Sequence, residues 1–197
     1  IKKKDFQKSL KVMNRVFKKN LALCNRVIIF KKGEIAKGLS VPVGSIGIGT
    51  VCSVVINGIF VKSGIPVIPK FGSILQLVDY KPVRFTDLIS YEGSSLDPLE
   101  VFIKSNMTSI GQTIKTGRGK ILASMREVPD VSINHANQII MKIRDYGFKG
   151  LIEIGRPGQT MFEVPVGIGK AGVVVAGGLN PLAALSEAGI EVNNYAM

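Results

Sequence analysis

The chain has 197 residues, of which 46% are hydrophobic and 20% are charged, a composition typical of globular proteins and not of disordered ones. Its formal net charge of +12 is unevenly placed, because residues 1–40 hold 12 Lys or Arg and only 2 Asp or Glu. No apolar run reaches the roughly 20 residues that span a bilayer, and no signal-peptide core is present, so we expect a cytoplasmic protein. The first residue is Ile and not Met, so we expect the chain to be cut from a longer protein.

The N-terminal segment predicts an amphipathic helix that Asp5 caps. The apolar side chains of one face, at helical spacing, are Phe6, Leu10, Met13, Phe17 and Leu21. The cations of the opposite face are Lys8, Lys11, Arg15, Lys18 and Lys19. Such a face is more often simply solvated, and the alternative is a phosphate-facing helix beside a nucleic-acid-binding domain. No base-reading motif accompanies it, so this fragment alone is a poor DNA reader.

The next segment predicts alternating short strands and glycine turns. In chain order its elements are a strand over 26–30, a turn at Lys32-Gly33, a strand over 39–43, a flexible glycine loop over 44–49, a strand over 50–56 and a helical turn over 59–62. The run from Thr50 to Ile56 is β-branched and almost wholly apolar, which is typical of a strand covered on both faces.

The middle of the chain predicts two hairpins and a helix. The first hairpin joins strands Ile74–Tyr80 and Val83–Tyr91 through a tight turn at Lys81-Pro82. Ser94 or Ser95 then caps a helix that runs to about Lys104, with Pro98 in its first turn. The second hairpin joins Gln112–Thr116 to Lys120–Val128 around Gly117-Arg118-Gly119.

The last third predicts a long helix, a buried strand and a second helix. Asp130 caps the long helix, Val131 to Tyr146, whose apolar stripe is Ile133, Ala136, Ile140 and Ile143, and Gly147 ends it. After the buried strand, Asn180-Pro181 predicts a helix start, because Asn accepts a bond from an orphan N–H group and Pro needs none.

A repeated motif divides the chain. Val41-Pro42-Val43-Gly44 recurs as Val164-Pro165-Val166-Gly167, 123 residues later, and the same offset superposes Asn14 on Asn137. Both copies predict helix, strand, turn, buried strand and short helix, so we expect an α+β fold of duplicated units about a pseudo-twofold axis. The whole chain, 1–197, would be a single domain, with one half at about 5–105 and the other at about 112–197. Counterparts of its unmatched strands should precede Ile1 and follow Met197.

Catalysis and metal binding find little support. Cys24 and Cys52 form neither a disulfide framework nor, with one histidine in the chain, a zinc cluster. His135, the sole histidine, has no nucleophile partner in an elbow motif. The glycines of Gly44–Gly49 precede a predicted strand, so they are not a dinucleotide fingerprint. We therefore predict no catalytic residue, no metal and no cofactor.

An anion site is the chemistry that the motifs favour. Gly177-Gly178 before the Asn180-Pro181 helix start would let a ligand approach backbone N–H groups, which suits a carboxylate or phosphate. Arg156, in a Gly-Arg-Pro-Gly turn, could donate two hydrogen bonds to a carboxylate. The candidate binding residues are Arg156, Gln159, Gly177, Gly178, Asn180, Arg126 and Lys170. Taken alone, a helix start is more often a plain turn and a cation more often a surface residue.

The chain resembles the regulatory domain of the archaeal nitrogen repressor family, NrpR. The resemblance extends over essentially the whole chain, and the most specific part is the run from Gly177 through Ile190, Gly-Gly-Leu-Asn-Pro-Leu-Ala-Ala-Leu-Ser-Glu-Ala-Gly-Ile. The Gly155-Arg156-Pro157-Gly158 turn, the run from Ala123 to Pro129 and the duplicated Val-Pro-Val-Gly unit support it.

This resemblance implies a sensor. Members of the family repress nitrogen-assimilation genes through an N-terminal winged helix-turn-helix, bind 2-oxoglutarate to relieve DNA binding and act as dimers. The present chain has no recognisable winged helix-turn-helix, so it would be the effector-sensing and dimerisation part, a homodimer that contacts DNA only through an absent domain. Two alternatives stay open: an enzyme acting on a small anionic metabolite, and a dimerisation scaffold without a ligand.

Overall fold

The computed structural model describes residues 1–36 and 39–193. Their α-helices are α1 (Phe6–Lys18), α2 (Val54–Lys62), α3 (Pro98–Lys104), α4 (Ile110–Thr116), α5 (Ile133–Arg144) and α6 (Asn180–Glu187). Their strands are β1 (Val27–Phe30), β2 (Ile35–Ala36), β3 (Leu39–Ser40), β4 (Gly47–Thr50), β5 (Ile68–Val78), β6 (Lys81–Ser90), β7 (Gly119–Pro129), β8 (Ile152–Ile154) and β9 (Lys170–Ala176). The predicted mixed α+β class is confirmed.

A five-stranded antiparallel sheet, in the order β6-β5-β7-β9-β8, forms the centre of the protein. Two further antiparallel pairs, β1 with β4 and β2 with β3, lie outside this sheet. Strand β7 is therefore flanked on both edges, by β5 and by β9. Three polar side chains of β7, those of Ser124, Arg126 and Glu127, are buried in the protein.

Two hydrophobic clusters hold helices against the sheet. One joins α2 and α5 to β9 through Ile56, Phe60, Ile140, Val173 and Val175. The other joins β5 and β7 to residues of α3, α4 and α6. The stripe predicted for α5 is confirmed, since Ala136 and Ile140 are buried and the flanking isoleucines of the stripe pack against the same cluster. The predicted buried strand before α6 is confirmed as β9.

The strand predicted over Thr50–Ile56 is wrong. β4 ends at Thr50 and α2 begins at Val54, after Ser53. In the helix, Ile56 and Phe60 lie one turn apart and are both fully buried, while Val54 is 61% exposed. A short β-branched run has no periodicity that separates a strand from a helix, and tertiary packing decided it. The loop predicted over 44–49 is also partly wrong, because Gly47 pairs with Phe30 in the β1–β4 ladder.

The second predicted hairpin is wrong in its first strand. Residues Ile110–Thr116 form α4, and Gly117 ends this helix in the left-handed conformation, with φ of 74°. The glycine pair around Arg118 is therefore a helix end and not a hairpin turn. The second strand is confirmed as β7, but it pairs with β5 and β9.

Some turn and cap residues differ from the prediction. The β5–β6 turn is formed by Asp79 and Tyr80, whose φ values of 53° and 62° fit a type I′ turn, and Lys81-Pro82 begin β6. Asp97, not Ser94 or Ser95, caps α3, since its Oδ1 accepts a bond from the Leu99 N–H at 2.8 Å. Pro98 does lie in the first turn, as predicted.

The aspartates and the asparagine predicted as helix caps form no capping bonds. Asp5 and Asp130 each lie in a short 3-10 helix before a longer α-helix, and neither the α1 nor the α5 start has a side-chain cap. Leu179 occupies the cap position of α6, and the Asn180 side chain bonds elsewhere in the protein. Pro181 is in the first turn, as predicted.

One order of elements occurs twice. A 3-10 helix, an α-helix, a strand, an antiparallel partner strand and a second helix run from Lys3–Asp5 through α2, and again from Asp130–Ser132 through α6. The first series differs in having the β2–β3 pair between its two strands. The first helices begin at Phe6 and Ile133, 127 residues apart. The strand pairs have the same register at a spacing of 125, since Val27 pairs with Thr50 and Ile152 with Val175.

The helix spacing corrects the offset of 123 at which Asn14 superposed on Asn137. The two offsets, 127 and 123, differ by four residues, which is about one helical turn. Apolar residues of one helix therefore still superpose on apolar residues of the other at the wrong offset. Residues separated by 127 also touch, because the Gly150 N–H donates to the Leu23 carbonyl at 3.1 Å. A side chain at Gly150 would collide with the backbone of Ala22 and Leu23.

Candidate functional site

Arg126 is a buried cation at the middle of the sheet. It lies on β7, opposite Val173 of β9 and Pro69 of β5, and only 2% of it is exposed. Strand alternation places Ser124 on the same face as Arg126, two residues earlier. Arginine is rarely so buried without a charged partner, so its surroundings decide what it does.

The Arg126 guanidinium is only partly satisfied. Nη2 donates a hydrogen bond of 2.6 Å to Ser124 Oγ, which in turn donates one of 3.0 Å to Ser53 Oγ. Nε and Nη1 have no hydrogen-bond partner, and no salt bridge reaches Arg126, among residues 1–36 and 39–193. Burial lowers the pKa of Arg126 to about 10, against the opposing influence of Tyr91 and Cys52. The group is therefore a cation at pH 7 with two donors to offer.

The N-terminus of α2 is linked to this guanidinium through the Ser124 hydroxyl. Ser53, 3% exposed, is the residue before the helix, and its side chain makes no capping bond. The nine-residue helix ends at Lys62, and its partial positive charge lies at the Ser53 end. A helix start and a cation with free donors both attract the same kind of ligand, an anion with oxygen acceptors.

Tyr91 and Cys52 complete the surroundings of Arg126. Burial raises the pKa of Tyr91, although the Arg126 charge acts in the opposite direction, so the phenol keeps its proton at neutral pH. Cys52 is an exposed free thiol, whereas Cys24 is buried. Since Cys52 directly precedes Ser53, solvent lies one residue from the α2 start.

The predicted glycine loop supports this site from behind. An added Cβ at Gly178 would collide with the Val51 carbonyl oxygen, so the close approach foreseen for a ligand is taken by the protein backbone. Thr50 Oγ1 donates to the Gly178 carbonyl at 2.9 Å. The Gly177-Gly178 turn thus fixes the segment that leads into Ser53.

Asn180 is committed to the protein. Its Oδ1 accepts from the Leu122 N–H at 2.8 Å, and its Nδ2 donates to the carbonyls of Leu21 at 2.6 Å and Leu122 at 3.0 Å. The side chain is completely buried. The side chain continues the hydrogen-bond ladder of β7 beyond the end of β9. Its polar atoms therefore bind the protein backbone, whereas we predicted that they contact a ligand.

The remaining predicted residues lie apart from Arg126. Arg156 and Gln159 are exposed in the loop before β9. Lys170, at the start of β9, forms a 3.2 Å salt bridge with Glu127, whose carboxylate also accepts from the Gly167 N–H at 3.0 Å. The structure thus brings together Arg126 and the glycine turn, and it places Arg156, Gln159 and Lys170 in a second group.

Sequence reasoning missed Ser53, Ser124 and Tyr91. Ser124 could have been found from strand alternation, since it stands two residues before Arg126 in a predicted strand. Ser53 was hidden inside the wrongly predicted strand, and Tyr91 is brought in from β5–β6 by a long-range pairing.

The family model for NrpR regulatory domains NRD1 and 2 matches residues 1–197. The chain belongs to this family. It is 39% identical over 190 residues to the global nitrogen regulator NrpRI of Methanosarcina mazei, covering 96% of this chain and 58% of that protein. It is 34% identical over 197 residues to the global nitrogen regulator NrpR of Methanocaldococcus jannaschii, covering 100% of this chain and 32% of that protein. The chain therefore spans between a third and somewhat over half of these relatives.

The crystal structure of a nitrogen repressor-like protein from Methanococcus jannaschii has the same fold, with a TM-score of 0.81 and 31% identity over 100% of this chain and 79% of that one. The resemblance to NrpR is confirmed, and the chain is a regulatory domain of a nitrogen-regulator family. Within the described residues no cluster of His, Cys, Asp and Glu could hold a metal ion, and no helix is long and apolar enough to cross a membrane.

Proposed function

We propose that this NrpR regulatory domain binds 2-oxoglutarate, and that Arg126 and the N-terminus of α2 hold one of its carboxylates. The observation that carries the proposal is a 2% exposed arginine whose Nε and Nη1 have no protein partner among the described residues. An uncompensated buried charge costs free energy. A carboxylate that accepts hydrogen bonds from two N–H donors of the guanidinium would offset that cost. The Tyr91 phenol and the serine hydroxyls supply neutral donors beside the cation.

Such a ligand would link the first series of elements to the strand that leads into the second. Helix α2 belongs to the first series of elements, and β7 directly precedes the second. A carboxylate between Ser53 and Arg126 favours one arrangement of these elements over another, and a ligand shifts an equilibrium only by such a difference in affinity. We propose that the recurrence comes from an internal duplication and that this shift is passed to the DNA-binding part of the whole protein.

We also propose a homodimer, because apolar side chains lie exposed on β1 and α2 of the first series of elements. Ile28 on β1 is 55% exposed, and Val54 and Val61 on α2 are 61% and 59% exposed. Exposed apolar residues in such number favour an interface between protein surfaces. The same observation supports a scaffold without a ligand as the second candidate function.

Isothermal titration calorimetry with 2-oxoglutarate separates these functions. The unaltered chain should bind, and Arg126→Met should lose at least about 100-fold in affinity, about 2.7 kcal/mol, because the carboxylate loses its buried cation. Arg156→Ala is the matched control on an exposed arginine of the other predicted group. Loss with Arg156→Ala and not with Arg126→Met would move the site to the loop before β9. If millimolar 2-oxoglutarate gives neither heat nor a shift of the melting temperature, the proposed effector binding is wrong and the scaffold without a ligand is favoured.

A further inference from the structure

Five cations form one exposed stripe along α1 and the 3-10 helix before it. The residues of this α1 basic stripe are Lys4, Lys8, Lys11, Arg15 and Lys18. Their spacing of four and three residues places them on a single helix face, over a length of about 21 Å at 1.5 Å per residue. All five are exposed, while Met13 and Val16 on the opposite face are buried.

The protein itself hardly neutralises the stripe. Helix α1 contains no Asp or Glu, and no salt bridge within residues 1–36 and 39–193 includes a stripe residue. Lys8 alone has a protein partner in these residues, since its Nζ donates to the Ala188 carbonyl at 3.2 Å. The stripe is therefore a row of positive charge open to solvent.

Helix α5 occupies the corresponding place in the second series of elements and provides an internal comparison. The residues 127 positions after the stripe residues are Val131, His135, Gln138, Lys142 and Asp145, all exposed. They include one cation and one anion, so their formal charge with neutral histidine is zero, against +5 for the stripe. Solvation of an exposed helix at this position does not need five cations, and the charge of α1 calls for another cause.

We propose that the α1 basic stripe binds the phosphate backbone of duplex DNA. Duplex DNA carries one negative charge per about 1.7 Å of axis, both strands counted, so a row of cations about 21 Å long can reach several phosphates. No aromatic residue interleaves with the stripe on its exposed face, which suits backbone contacts and not the stacking of single-stranded bases. This surface is separate from Arg126 and goes beyond the proposed effector binding, so either proposal can fail alone. It departs from the expectation, drawn from the family resemblance, that the chain contacts DNA only through an absent domain.

Fluorescence anisotropy of a labelled duplex of about 30 base pairs and arbitrary sequence tests the proposal with the 197-residue chain. The logarithm of the binding constant should fall against the logarithm of salt concentration with a slope of about −4.5, about −0.9 for each neutralised phosphate. Replacing Lys4, Lys11, Arg15 and Lys18 by Gln keeps helix propensity and should bring the slope to about −0.9, with at least a tenfold loss of affinity at about 50 mM salt.

A second variant with the same change in net charge controls for general electrostatics. It replaces Lys62, Lys142, Arg144 and Lys149 by Gln, all exposed and without salt bridges in the described residues. This control should bind DNA within about threefold of the unaltered chain, and circular dichroism should show both variants folded. Equal losses in the two variants would overturn the proposal, as would the absence of binding by the unaltered chain at about 50 mM salt. Stripe-dependent binding of poly-glutamate without binding of DNA would assign the surface to an acidic protein instead.

Discussion

Two helix starts, those of α2 and α6, occupy corresponding places in the recurring order of elements, yet their polar groups have opposite fates. At α6, Asn180 is completely buried and makes three hydrogen bonds to Leu21 and Leu122. At α2, Ser53 leads through Ser124 to Arg126, whose Nε and Nη1 have no partner in the described residues. At the α6 start the protein itself satisfies the buried polar side chain. At the α2 start the described residues leave buried N–H donors free to bind another molecule.

The difference separates stability from binding. A satisfied buried polar network rigidifies a fold, whereas an unsatisfied one costs free energy until another molecule completes it. Asn180 should therefore matter to folding and little to ligands, and Arg126 should show the reverse. Substitutions at these two starts can break or sharpen this contrast.

Asn180→Leu should have the largest effect on stability. It leaves the Leu122 N–H and the Leu21 carbonyl without partners in a fully buried place, while the Leu122 carbonyl keeps the Gly177 N–H, so we expect the free energy of unfolding to fall by about 3 to 5 kcal/mol. Urea unfolding followed by circular dichroism measures this. Asn137→Ala, on the exposed face of α5, should stay within about 0.5 kcal/mol. A loss below 1 kcal/mol for Asn180→Leu would contradict the closed network.

Arg126→Met should stabilise the ligand-free protein. It removes a buried charge without a carboxylate partner and fills the same volume with apolar atoms, so we expect a gain of about 1 to 4 kcal/mol in the free energy of unfolding. Arg156→Met, at an exposed position, should change it by less than about 0.5 kcal/mol. Urea unfolding curves measured without effector give both values from their midpoints and slopes. Destabilisation by Arg126→Met would mean that the guanidinium is satisfied within the protein.

Ser53→Ala should have the smallest effect, and mainly on the ligand. The change removes the hydroxyl at the α2 start that accepts the bond from Ser124, so we expect 2-oxoglutarate to bind about fivefold more weakly, about 1 kcal/mol. Ser132→Ala, at the N-cap position of another helix, α5, should leave the affinity unchanged. Calorimetry of the two variants decides whether the α2 start takes part in binding.

Prediction from the sequence was correct for elements whose long, periodic patterns fit only one type of secondary structure. The α5 stripe, the buried β9 and the two long strands of the first hairpin were found because their apolar positions repeat over two or more turns or along a whole strand. The segments 50–56 and 112–116 were wrong because each is short, and β1, β7 and the core decided their conformation from far along the chain.

The candidate site was only partly accessible to the same reasoning. Arg126 was named among the candidates, and Gly178 proved to support the neighbouring segment, although as a packing surface and not as a ligand contact. The meeting of Ser53 from α2 with Ser124 from β7 joins residues 71 positions apart, and no local pattern encodes such a pairing. Burial of Arg126 depends on the order of the strands and on the residues that cover this face of β7, and no local pattern gives either.

The contact between Gly150 and Leu23 limits how freely the protein can change over evolutionary time. These residues correspond to each other at the 127-residue spacing, and the backbone of Ala22 and Leu23 fills the place of a side chain at Gly150. Loops on the surface can diverge one unit at a time, because each touches mainly its own surroundings. A change at Gly150 acts on both series of elements in a single step, so this position should accept few substitutions.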